Sequence, residues 1–168
     1  MATDKVKDPV CGMMVPPDQN AIIYQEMHFA FCSLQCKERF LANPHLYIGI
    51  PGKQAAPRQE GQKVVKRRHM HLEKALSLSE AQQVREQLLA MMGVHSVDVE
   101  GNELTITYDL VEATAQQIEN ALQQAGAQLG EGMGERLKRA FIHYLEETEV
   151  ANLEAQSKSH GHGGHHHG

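Results

Sequence analysis

The chain has 168 residues, of which 41% are hydrophobic and 22% charged, and its formal net charge is −5. This length suits one ordinary domain or two small ones, and the negative charge excludes a global basic field that would favour nucleic acid. The first residues form no apolar signal segment, and no apolar run reaches the length of a membrane span. We therefore expect a cytoplasmic protein with reduced thiols and no membrane insertion.

Cys11, Cys32 and Cys36 are the only thiols in the chain, and they follow the pattern C-x20-C-x3-C. An odd number of cysteines in a chain expected to stay reduced favours a metal site over a disulfide framework. Thiolates are soft ligands, so three of them converging on one point would bind Cu(I) or Zn(II).

The local pattern also predicts how the thiols converge. Residues 27–32 alternate as a strand, which places His28 on the face of Cys32, and a helix directly after this strand would turn Cys36 to the same side. Tetrahedral zinc needs a fourth ligand, for which we name His28, with Asp8 or a water molecule as alternatives. Three sulfurs alone satisfy Cu(I).

Three motifs contain the thiols or follow them: D-P-V-C-G-M at 8–13, F-C-S-L-Q-C-K-E-R-F at 31–40 and N-P-H-L-Y at 43–47. Together they resemble the YHS domain, which belongs to the TRASH group of small treble-clef-like metal-binding modules. The resemblance spans roughly residues 6–48 and implies that residues 1–48 form such a module.

A second module is predicted after a linker at residues 49–63, which is rich in Gly and Pro and lacks an apolar period. Alternation and helical spacing predict the order βαββαβ over residues 64–130, a ferredoxin-like sandwich. Its predicted parts are a strand at 65–73, a helix opening at 78–80 with Ser79 as N-cap, hairpin strands at 94–100 and 103–108, a helix capped by Thr114, and a last strand at 127–129. Together with the first module, this gives an α+β chain.

That element order, with M-x-G-V-x-S-V-x-V at 91–99, resembles the heavy-metal-associated domain of copper chaperones and metal-pumping ATPases. The family carries C-x-x-C before its first helix, and the matching positions here are Ser77 and Glu80. The resemblance therefore implies the fold without the family's Cu(I) ligands. Such a module would serve as an interaction surface, for example toward a metal-transporting P-type ATPase.

A further helix is predicted at residues 134–155, with an apolar stripe of Leu137, Phe141, Tyr144 and Leu145. Basic residues lie near its start and acidic residues further on, an order that opposes the helix macrodipole and disfavours an isolated helix. We expect it to dock, either on its own second module or antiparallel to a second copy in a homodimer. The charges that would meet across such a dimer are Arg136, Lys138 and Arg139 against Glu146, Glu147 and Glu149.

The last segment, residues 156–168, is rich in Gly and His. This composition predicts a flexible tail whose imidazoles bind borderline metals weakly. Whether it is native or an appended tag stays open. Its five histidines are His160, His162, His165, His166 and His167.

Taken together, the sequence predicts a heavy-metal-binding protein without enzymatic activity that buffers, delivers or senses Cu(I) or Zn(II). One alternative is an adaptor in which structural zinc only holds the first module while the second binds a partner. Another is a cupric reductase or an oxygenase accessory subunit, although no redox cofactor motif supports it. A second metal site at His69, His71 and His95 is the alternative to a solvated sheet face.

Overall fold

The computed structural model describes residues 4–49 and 55–159, which form two compact units. Of the described residues, the first unit comprises 4–49, 55–63 and 149–159, and the second comprises 64–148. In the part of the chain that is described, no helix is long and apolar enough to cross a membrane. The predicted tail histidines lie outside the described residues.

Short hairpins and one helix make up the first unit. Strands β1 (Val6–Lys7) and β2 (Met14–Val15) pair antiparallel, as do β3 (Ile22–Tyr24) and β4 (Met27–Phe29), and α1 (Leu34–Ala42) follows. The strand predicted to reach residue 32 ends at Phe29, because its partner β3 has only three residues. Beyond that point the carbonyls of Phe31 and Cys32 accept bonds from the Gln19 side chain instead.

The core of the first unit is an aromatic cluster centred on Phe40, which is fully buried on α1. Its ring lies 4.9 Å from Phe29, 5.4 Å from Phe31, 5.6 Å from Tyr24 and 6.1 Å from Tyr47, measured between centroids. Tilted and edge-on pairs at these distances are favourable beyond their burial. The cluster packs α1 against β3, β4 and Phe31, the residue directly before Cys32.

In the second unit, an antiparallel sheet carries two helices in the predicted order. The elements are β5 (Val65–His71), α2 (Leu78–Leu89), β6 (Val94–Glu100), β7 (Glu103–Asp109) and α3 (Ala115–Gln124). The sheet order is β5-β7-β6, so β7 is central. The α+β class is thus confirmed, and the ferredoxin-like arrangement remains a prediction.

The last strand predicted for this unit, at 127–129, forms only a single bridge from Leu129 to Leu72. The Gln128 carbonyl accepts from Glu73 N–H, and Gly130 N–H donates to His71, so this segment does bond to the end of β5. It is too short for a ladder, because the chain turns at Gly126, whose φ is +95°.

Capping boxes begin both helices of the second unit. Thr114 caps α3 as predicted, with Gln117 as its reciprocal partner. The N-cap of α2 is Ser77 and not Ser79: the Ser77 hydroxyl accepts from Glu80 N–H at 3.1 Å, and the Glu80 carboxylate accepts from Ser77 N–H at 2.9 Å. The two positions where the resembled family carries thiols therefore hold a reciprocal helix cap.

A long helix, α4 (Met133–Ser159), ends the described chain, and its buried face differs from the prediction. The predicted stripe is exposed, whereas Glu146 and Val150 on the opposite face are buried. Glu146 accepts hydrogen bonds from Ala115 N–H at 2.8 Å, from Arg68 at 3.3 Å and from the Tyr108 hydroxyl. The stripe therefore does not dock on the chain's own second module. A helix face held by carboxylates escapes a search for apolar periodicity.

Candidate metal centre

Four side chains of the first unit converge: Asp8, Cys11, Cys32 and Cys36, whose potential ligand atoms all lie within 4.8 Å of one another. Cys11 lies in the turn between β1 and β2, Cys32 follows β4, and Cys36 lies in the first turn of α1. The Cys32 sulfur is 3.4 Å from that of Cys11 and 3.6 Å from that of Cys36. The three thiols that sequence spacing predicted to converge are thus close together.

The fully buried carboxylate of Asp8 links the two thiol-bearing segments. One oxygen accepts from Val10 N–H at 2.7 Å and from Cys11 N–H at 3.3 Å, and the other accepts from Cys32 N–H at 2.7 Å. Hydrogen bonds to a buried carboxylate are among the stronger ones in proteins. Asp8 therefore fixes the separation of Cys11 and Cys32 before any ion binds.

The turn that carries Cys11 depends on Gly12, whose φ is +86°, a value that other residues rarely adopt. Gly12 N–H donates to the Asp8 carbonyl at 2.9 Å, and Asp8 N–H donates to the Met13 carbonyl at 2.8 Å. The loop is thereby closed on both sides of Cys11.

Cys36 is placed by the start of α1. Ser33 is the N-cap, and its hydroxyl accepts from Cys36 N–H at 3.4 Å. The change from strand to helix that the sequence predicted before Cys36 thus turns this thiol toward Cys32.

The sequence pattern did not single out two arginines that lie close to the thiols in the chain. Arg58, in a 3-10 turn at Arg58–Glu60 inside the predicted linker, donates from Nε to the Val10 carbonyl at 2.9 Å, next to Cys11. Arg39, one turn after Cys36 on α1, is only 4% exposed, and its Nε has no hydrogen-bond partner among the described residues.

Hydrogen bonds between the thiols and their burial shift the pKa values of all three. A hydrogen bond from the Cys36 thiol lowers the pKa of Cys11 to about 7. Burial raises the pKa of Cys32 to about 11. The pKa of Cys36 is raised because its proton is held against Cys11 and because the group is buried. Metal binding must displace these protons, so affinity will increase with pH.

The donor set fits a thiophilic ion. Sulfurs at about 2.3 Å from one ion lie about 3.8 Å apart in a tetrahedral site and about 4.0 Å apart in a trigonal one. The observed separations of 3.4 and 3.6 Å need only small expansions to reach either value.

His28 does not belong to the converging group, because its side chain is exposed on β4, where it pairs with Ile23. The second metal site considered for the sheet is not assembled in the described chain. There His69 bonds through Nδ1 to the Thr105 hydroxyl at 2.9 Å, and His71 lies 3.7 Å from the Glu103 carboxylate.

Comparison with known proteins bears on the first unit. The family model of the YHS domain matches residues 6–50, which confirms the resemblance of the first module. A silver exporting P-type ATPase of Salmonella typhimurium is 41% identical over 49 residues, which is 28% of this chain and 6% of that protein. The chain therefore spans only a small part of that relative.

Among solved structures, a CsoZ metallochaperone aligns with 40% of this chain and 100% of its own length, with 18% identity and a TM-score of 0.38. A likeness at this level carries no inference about fold or function here. The YHS match and the thiol–carboxylate group together indicate a metal-binding module. The heavy-metal-associated resemblance of residues 64–130 remains a prediction.

Substituting Asp8→Asn is expected to weaken metal binding about 10- to 100-fold although all three thiols remain. The amide replaces one acceptor oxygen by an NH2 group that faces a backbone N–H, so the two thiol-bearing segments lose their shared anchor. Competition titration with a chelator measures the affinity. Asp18→Asn, an exposed aspartate of the same unit, is the matched control. Equal affinities of the two variants would contradict the role of Asp8.

Proposed function

We propose that this chain handles a soft metal ion, binding it reversibly through Cys11, Cys32 and Cys36 for buffering, delivery or sensing. The observation that carries the proposal is the convergence of three thiols and the Asp8 carboxylate within 4.8 Å. Cys11 and Cys32 are partly exposed, whereas Cys36 is buried. A site with two accessible sulfurs permits a competing thiol to attack the ion by ligand exchange.

Cu(I) is the ion that we favour, with Zn(II) as the alternative. Structural zinc prefers four nitrogen or sulfur ligands, and only three are assembled here, since His28 lies outside the group. Cu(I) is satisfied by three thiolates. The similarity to part of a silver exporting P-type ATPase supports a monovalent soft ion. Asp8, and not His28, is our choice of fourth ligand if the ion is zinc.

A metal-transporting P-type ATPase is the protein partner that we propose, with this chain acting in the cytoplasm. The second unit would serve as the interaction surface, in keeping with its proposed heavy-metal-associated, ferredoxin-like fold. Its Ser77 and Glu80 are engaged in a helix cap and supply no thiol. The tail histidines 160, 162, 165, 166 and 167 would add weak, unselective capacity for borderline ions.

A structural-zinc adaptor is the second candidate, and the small size of the first unit favours it. Its four strands have only two or three residues each, so its hydrophobic core is small. A module of this size often needs a bound metal ion to stabilise its fold. In the adaptor, removing the metal would unfold this unit, whereas in the metal handler the unit would stay folded.

Hydrogen exchange of the full chain, measured before and after addition of a chelator, distinguishes them. For a metal handler, we expect metal loss within seconds to minutes while α1 stays protected. In both cases we expect β5, β6 and β7 to keep their protection, because the second unit has a complete apolar core and no assembled ligands. Slow metal loss with collapse of protection in α1 would reject the handler in favour of the adaptor.

A further inference from the structure

Cys11 and Cys32 carry two sulfurs that lie close to the separation of a covalent pair. Their Sγ atoms are 3.4 Å apart, whereas those of Cys32 and Cys36 are 3.6 Å apart. A disulfide bond is about 2.05 Å long, so the first two sulfurs need to approach by about 1.4 Å. Rotation about the two Cα–Cβ bonds supplies such an approach only where the two backbones are also close.

The Asp8 carboxylate holds these two backbones together. It accepts from Cys11 N–H at 3.3 Å through one oxygen and from Cys32 N–H at 2.7 Å through the other. Both cysteines are thus bonded to one small, fully buried group. The anchor that places the two thiols for metal binding therefore also favours the close approach of the two backbones that a disulfide requires.

Exposure separates this pair from the third thiol. Cys11 and Cys32 are partly exposed, whereas Cys36 is buried. Cys36 is also held in the first turn of α1, where its N–H donates to the Ser33 hydroxyl. A small dissolved oxidant therefore meets the sulfurs of Cys11 and Cys32 first, since the oxidation of a thiol becomes easier with its exposure.

We propose that, when no ion is bound, this site is a redox switch in which hydrogen peroxide joins Cys11 and Cys32 in a disulfide. Peroxide first transfers one oxygen atom to either thiol, which gives a sulfenic acid and one water molecule. The sulfur of the other cysteine then attacks the sulfenic sulfur. The S–O bond breaks as the S–S bond forms, and the departing hydroxide takes the remaining thiol proton as a second water. Two thiols thereby lose two electrons and two protons to one peroxide.

The switch rests on the proposed function, because it regulates metal binding at the same site. Once Cys11 and Cys32 are joined, neither is a thiolate, and only Cys36 and the Asp8 carboxylate remain as donors. An oxidised chain therefore does not hold a soft ion. A dithiol reductant reverses the change by attack on the disulfide, so that the chain can bind the ion again.

Peroxide treatment of the full chain, after removal of metal with a chelator, tests the switch. Free thiols are then alkylated, and peptide mass mapping is expected to find Cys11 joined to Cys32 and Cys36 alkylated. Tight binding of Zn(II), which is redox-inert, is expected to weaken more than about 1,000-fold in a chelator competition, leaving only the weak binding of the tail. Affinity should return after a dithiol reductant has been added and removed.

Serine variants identify the pair that reacts. Cys36→Ser keeps both reacting sulfurs and is expected to form the disulfide within about twofold of the wild-type rate, whereas Cys11→Ser loses it. A reduced wild type that binds no ion would reject the proposed function and the switch with it. A reduced wild type that binds the ion but forms no Cys11–Cys32 bond, joins Cys32 to Cys36 instead, or keeps its affinity once oxidised overturns the switch alone.

Discussion

Replacing Cys32 and Cys36 together by serine is expected to abolish the binding of one equivalent of Cu(I) or Zn(II). A serine hydroxyl stays protonated near neutral pH and is a hard, weak ligand, so only Cys11 would remain as a thiolate donor. Because binding of zinc by structural thiolate sites is worth about 10 kcal/mol or more, we expect the loss of two of three thiolates to lower affinity by more than about 1,000-fold. Native mass spectrometry gives the stoichiometry, and chelator competition gives the affinity.

This measurement needs a chain ending at Ser159, so that ions bound by the tail histidines are not counted with those at the thiol site. Met13→Ser is the matched control, because Met13 is an exposed sulfur-bearing residue two positions after Cys11. The control should keep one tightly bound ion. Undiminished metal content in the double serine variant would rule out the thiol site.

The second unit is expected to lose about 3 kcal/mol of stability on Glu146→Ala. The substitution leaves three donors at a buried position without their acceptor: Ala115 N–H, the Arg68 guanidinium and the Tyr108 hydroxyl. Unsatisfied buried donors cost about 1–3 kcal/mol each, and relaxation or water entry recovers part of that cost. For a unit of this size the midpoint of thermal unfolding should fall by more than about 10 °C.

Glu147→Ala is the control for this experiment, because Glu147 is the exposed neighbour of Glu146 on the same helix and lacks its buried contacts. Circular dichroism melting curves of the full chain compare the two variants. Similar midpoints for both would mean that Glu146 does not fasten α4 to the sheet.

Much of the site could be read from the sequence because metal ligands are recognised by residue type and spacing. Cys11, Cys32 and Cys36 are the only thiols, and the strand-to-helix change before Cys36 turns two of them to one side. The capping signals of the helices are likewise local, since Thr114 and Gln117 interact across three positions. The N-cap of α2 was predicted at Ser79, whereas the reciprocal Ser77–Glu80 pair places it two residues earlier.

Contacts between distant segments were decided only by the tertiary structure. Asp8 was one alternative among several ligands, and only folding brings its carboxylate to Cys32 N–H, 24 residues away. Arg58 lay in a segment read as a linker, yet it bonds to the carbonyl beside Cys11. No periodicity marks such single long-range bonds.

The buried face of α4 was likewise decided by contacts between distant segments. Hydrophobic spacing identifies a helix but chooses the apolar stripe as its buried side. Here the buried side includes Glu146, whose burial is stabilised by donors from β5, β7 and α3. The sequence by itself thus determined which thiols are present and indicated that a helix begins just before Cys36 and another after Thr114. The tertiary structure decided which polar groups are buried, because a buried carboxylate is stable only when separate elements bring donors to it.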